Sequence, residues 1–144
     1  MIAGGCRCGA VRYGIALDAL PAVYCCHCHL CQRWSGSAFS TQALVAEDRL
    51  TVTGPVVTYE VRTDDRVSTQ RLCGTCHSRI YNTNTRRPGV AVVRAGTLDR
   101  SEELACRAHI FTDYRQRWVT LPDDVPQWPE APEPDAFIAA LTAA

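Results

Sequence analysis

The sequence predicts a mainly β fold of many short strands, and three observations carry that prediction. Short apolar or alternating stretches recur along the chain; turn formers such as Gly54-Pro55, Asp64-Asp65 and Pro88-Gly89 separate them; and eight of nine cysteines sit in tight groups able to tie such strands together. At 144 residues, the chain is long enough to enclose one hydrophobic core, so a single domain is expected.

The first strands are read at 10–15 and 22–24, the latter leading directly into a cysteine group. Residues 28–34 lack Gly and Pro and end at Ser35-Gly36-Ser37, which predicts one brief helical turn. Further strands are expected at 38–45, 50–53, 56–62, 67–72 and 90–95. From Leu121 the composition turns to Pro and acid, which predicts an extended surface arm that joins neither sheet nor helix. Asp135 is then placed as the cap of a short C-terminal helix over 136–141, with Phe137, Ile138 and Leu141 on one face. The domain boundaries drawn from this are 1–128 for a domain holding all nine cysteines and 129–144 for the Pro-rich arm and helix.

Lys plus Arg and Asp plus Glu number 15 each, so there is no overall field to draw the chain onto nucleic acid or anionic lipid. The first residues show no basic segment leading into an apolar run, and no uncharged apolar stretch is long enough to cross a bilayer; the expected address is the cytoplasm. Neither nucleic acid nor membrane is expected as a partner.

Nine cysteines at this density serve as disulfides, metal ligands or redox centres. An odd count, the absence of an export signal and the tight grouping all favour metal, because thiols in a reducing compartment remain available as thiolate ligands. Cys6-Arg7-Cys8, flanked by glycines, and Cys73-Gly74-Thr75-Cys76 are two chelating pairs. Together Cys6, Cys8, Cys73 and Cys76 make the four-thiolate set of a structural zinc. A thioredoxin-like C-x-x-C would be followed by a helix, whereas Arg79-Ile80-Tyr81-Asn82 reads as strand.

The middle group, Cys25-Cys26-His27-Cys28-His29-Leu30-Cys31, contains C-x-C-x-x-C. Cys26, Cys28 and Cys31 supply three sulfurs from one tight loop, the arrangement of a catalytic zinc with one open position. Two other readings stay open: a closed structural site completed by Cys25, His27, His29 or His109, with His29 the better placed for a Cys3His set, and an iron–sulfur cluster completed by Cys106. Adjacent residues of an extended chain point apart, so Cys25 is not expected on the same ion as Cys26. Cys25 and Cys106 are read as small buried apolar residues, and His77 as a surface residue.

Three ordered motifs carry a resemblance: Gly4-Gly5-Cys6-Arg7-Cys8-Gly9-Ala10-Val11-Arg12-Tyr13, then Cys26-His27-Cys28 through Cys31-Gln32-Arg33 with Ser35-Gly36-Ser37-Ala38-Phe39, then Arg71-Leu72-Cys73-Gly74-Thr75-Cys76. They resemble the glutathione-dependent formaldehyde-activating enzyme family, which includes the domain of centromere protein V. The stretch from Ala108-His109-Ile110 through Trp118 to Gln127 resembles its closing segment. His77 stands where the family often has glycine. The resemblance implies a β-tent of small antiparallel sheets with two zinc ions, structural at Cys6, Cys8, Cys73 and Cys76 and catalytic at Cys26, Cys28 and Cys31. It also implies a carbon–sulfur lyase activity of the S-(hydroxymethyl)glutathione synthase type, with glutathione or another small thiol as partner. On that reading His27, His29 or His109 shuttles a proton and Arg33 holds a substrate carboxylate. The rival expectation is a zinc-stabilised binding module without turnover.

Overall fold

Short apolar stretches between turn formers give short strands, and in the computed structural model, which describes residues 1–143, eleven of them accompany two α-helices. In chain order they are β1 (Ile2–Gly5), β2 (Arg12–Ile15), β3 (Val23–Cys26), α1 (His29–Ser35), β4 (Ser40–Ala46), β5 (Leu50–Thr53), β6 (Val56–Thr63), β7 (Arg66–Cys73), β8 (Arg79–Asn84), β9 (Arg87–Arg94), β10 (Cys106–Ile110), β11 (Gln127–Trp128) and α2 (Pro134–Thr142). The fold is mainly β, as its sequence predicts. The chain divides into two compact units, Met1–Pro21 with Ala43–Glu103, and Ala22–Gln42 with Leu104–Ala144. The expected boundary between 128 and 129 therefore falls inside the second unit.

In the first unit β1 with β2, β2 with β5, and β6 through β9 pair antiparallel. β2 lies between β1 and β5, and β6, β7, β8 and β9 pair in sequence order, as short turns between neighbours require. Alternation sends Tyr13 and Ile15 inward from β2, and Val11, Ile80, Ala91 and Val93 complete a core from which water is excluded. The Tyr13 hydroxyl is satisfied by Thr97 at 2.8 Å, and the exposed Arg12–Asp99 ion pair lies nearby on the surface.

The second unit is built differently. β3 and β10 come from distant parts of the sequence and pair in parallel, and β11 adds to β10, also in parallel. All four residues of β3 are buried, as expected for a strand covered on both faces. α1 is capped at its start by the Cys28 sulfur, which accepts from the Cys31 N–H, and at its end by Gly36, whose φ of 63° lets its N–H turn back to the Gln32 carbonyl.

The structure corrects two expectations for the C-terminal segment. Gln127 and Trp128, within the Pro- and acid-rich stretch, form a strand rather than a free arm. Proline lacks an N–H but keeps its carbonyl, and Pro126 accepts from the His109 N–H at 2.9 Å while Pro129 accepts from Asp113 at 3.2 Å. Asp135 does not cap the last helix: α2 starts one residue earlier with Pro134, whose fixed φ suits the first turn, and Asp135 lies within that turn. Of the three residues assigned to its apolar face, Phe137 is buried, edge-on to Tyr24 and Trp128, whereas Ile138 is half exposed.

Candidate thiol-rich metal centres

Cys6 and Cys8 sit in a tight turn after β1. Gly9, at a φ of 80°, allows its N–H to reach back to the Cys6 carbonyl, and the Cys6 N–H bonds the Val11 carbonyl. Cys73 ends β7, and the loop to Cys76 folds under itself through His77 N–H to Cys73 carbonyl and Cys73 N–H to Ser78 carbonyl. His77 takes a φ of 58°, the left-handed region in which a side chain is strained, and this explains why glycine suits that position. The four sulfurs lie within 4.8 Å of one another, with Cys6 to Cys8 at 3.5 Å and Cys8 to Cys73 at 3.8 Å. Zinc–sulfur bonds of about 2.3 Å in a tetrahedron set sulfurs about 3.8 Å apart, so the donor set fits such an ion.

Hydrogen-bond donors face three of the four sulfurs, whereas Cys8 is raised to about 11. Cys6 accepts from the Val11 N–H at 3.2 Å, and Cys73 accepts from the N–H groups of Thr75 and Cys76. Ser78, through its side chain and backbone, pulls Cys76 down to about 5. Thiolates are the ligand form, so this environment favours metal capture.

In the second unit, Cys26 at the end of β3, Cys28 at the cap of α1 and Cys31 in its first turn bring three sulfurs within 4.8 Å. The Cys28 thiol is drawn far below the usual thiol range by Cys26 and Cys31, with help from backbone N–H groups. The same proximity to Cys28 and Cys31 pushes Cys26 far up. Gln42, buried on β4, donates to the Cys31 sulfur at 3.4 Å while its carbonyl accepts from the Tyr24 hydroxyl at 2.7 Å. That relay fixes which way the amide faces, and neither Gln42 nor Tyr24 was legible as a site residue, since no motif marks them.

The remaining candidates fall elsewhere. His29 is exposed at the start of α1 and stands edge-on to Tyr114, so it does not join the three sulfurs. Cys106 gathers with Cys25 and His109 in a separate group instead of completing the Cys26 cluster. His27 is fully buried, its Nε2 is 3.0 Å from Nδ1 of His109, and burial, then the His109 charge, lowers its pKa to about 4. Arg33 is exposed on α1 and lines an open cavity of about 480 Å³ together with Gln32, Ser37, Gln116 and Trp118. No helix among the described residues is long and apolar enough to cross a membrane.

A mainly β chain that gathers thiols into sets of four and three is a cysteine-rich protein whose clusters could hold metal ions. The profile of the glutathione-dependent formaldehyde-activating enzymes matches residues 1–114, and the chain belongs to that family. A crystal structure of a Rhodobacter sphaeroides protein shares the fold, with a TM-score of 0.55 at 18% identity over 88% of this chain and 99% of that one. No curated protein sequence matches this chain significantly.

Proposed function

We propose that the chain is a zinc enzyme that joins glutathione, or a similar small thiol, to formaldehyde or another small carbonyl, acting as an S-(hydroxymethyl)glutathione synthase-like carbon–sulfur lyase. The observation that carries this reading is the donor count at Cys26, Cys28 and Cys31: three sulfurs converge and no fourth protein donor joins them among the described residues. Three protein ligands leave one position for substrate, whereas the four sulfurs of Cys6, Cys8, Cys73 and Cys76 close a structural site. The family description names the two reactants.

Zinc held by the three thiolates would favour the thiolate form of an incoming thiol, the nucleophile this addition needs. The protein's own groups do the positioning. Gln42 holds Cys31 through its amide, and Gln32 anchors α1 by donating to the carbonyls of His27 at 2.6 Å and Tyr114 at 2.8 Å. The cavity beside α1 has the volume of a small-molecule site, and Arg33 on its wall supplies a guanidinium for a substrate carboxylate. Of the three histidines considered for proton transfer, His29 is the exposed one, while His27 and His109 are turned to each other.

Exchange spectroscopy by NMR on formaldehyde and glutathione tests the reading. Wild-type protein should accelerate interconversion with the hydroxymethyl adduct, and Cys28→Ser should abolish that acceleration while the Cys6 cluster keeps its ion. Arg33→Ala should raise KM for glutathione about tenfold with kcat little changed, the signature of lost ground-state binding. Undiminished zinc-dependent turnover in Cys28→Ser would sink the assignment. Glutathione binding without any acceleration would leave a binding module.

A further inference from the structure

We propose that Cys25, Cys106 and His109 form a third metal site, for a thiophilic cation of the zinc type, separate from the two thiol clusters above and independent of the reaction assigned to them. Their three donor atoms lie within 4.8 Å of one another.

The strand geometry creates the group. Parallel pairing sets Cys25 of β3 opposite His109 of β10. On a regular strand Cys106 and His109, three residues apart, would face opposite sides, but the register shifts between Cys106 and Ala108, and the extra residue returns both side chains to one face. Cys26, next along β3, points the other way and joins Cys28 and Cys31, so the two groups are divided by the strand between them.

Distances and chemistry suit an ion. Cys25 and Cys106 sulfurs are 3.4 Å apart, and Cys106 is 3.6 Å from Nε2 of His109. These edges are close to those of the four-thiol cluster, at 3.5 and 3.8 Å. A metal-binding histidine normally donates its other N–H to an acceptor that fixes ring and tautomer. Nδ1 of His109 faces Nε2 of the fully buried His27 at 3.0 Å, which is that acceptor, while Nδ1 of His27 has no hydrogen-bond partner. Two sulfurs and one imidazole, with no carboxylate in the group, select zinc or another soft ion over calcium or magnesium. Binding replaces two thiol protons, which pass to solvent, and leaves one coordination position for water or a small thiol.

Zinc counting on the purified chain tests this. Native mass spectrometry of zinc-loaded protein should give one ion fewer in Cys25→Ala and in Cys106→Ala than in wild type. Equal counts in all three overturn the proposal. Because a substitution can disturb folding, a second measurement uses wild-type protein: N-ethylmaleimide labelling of Cys106, read by peptide mapping, should slow at least tenfold when zinc is added. The same protection should persist in Cys28→Ser. An unchanged labelling rate, protection that vanishes in Cys28→Ser, or a Cys25–Cys106 disulfide that survives in the zinc-loaded protein would each contradict the site.

Discussion

His27 lies between two cysteines of the middle group and is one of the proton-shuttle candidates, yet its ring is turned to His109 and sealed from water. Folding therefore holds it neutral, with a pKa of about 4 against 6.5 in the open chain. Between those values the unfolded chain binds the extra proton, so stability rises with pH: the contribution is complete above about pH 6.5 and is lost on acidification towards 4. Urea unfolding of wild type and His27→Gln across that window should show wild type losing about 3 kcal/mol relative to the variant. A constant difference would mean that the ring is not sealed. Gln42 gives a second test, because its amide is the hydrogen-bond donor on the Cys31 sulfur. Gln42→Leu should weaken metal retention at Cys26, Cys28 and Cys31 by about 10- to 100-fold, measured by competition with a zinc chelator. Spacing made the cysteine groups legible because chelation is local, but Gln42, Tyr24 and the meeting of His27 with His109 depend on pairing between distant strands. No count along the chain reveals them.

At the scale of elements, β5 was legible to the residue, since Gly54-Pro55 ends it and alternation runs through it. α1, expected as one brief turn over 28–34, runs from His29 to Ser35, a shift of one residue at each end. β11 was missed because proline and acid were read as excluding a strand, when an edge position asks little of a proline beyond its carbonyl. The parallel pairing of β3 with β10 was missed for the same reason as the histidine pair. The turn through His77 carries its own prediction: His77→Gly removes left-handed strain from an exposed side chain and should stabilise the chain by up to about 1 kcal/mol in denaturant unfolding. In α2 the single buried residue, Phe137, supplies the packing against Tyr24 and Trp128. Phe137→Ala should cost about 3 kcal/mol in the same measurement.

For the whole chain, the two compact units each hold their own thiol sets, the four-sulfur group in one and the three-sulfur group in the other. The proposed function rests on a single claim, that Cys26, Cys28 and Cys31, which could hold an ion, do so with room for a thiol. Native mass spectrometry of freshly purified protein during a glutathione titration tests it most directly. The account predicts a saturable glutathione adduct on the zinc-loaded wild type that is absent from Cys28→Ser, or release of the same single ion by excess thiol. Zinc-loaded protein that neither takes up glutathione nor loses an ion would contradict it.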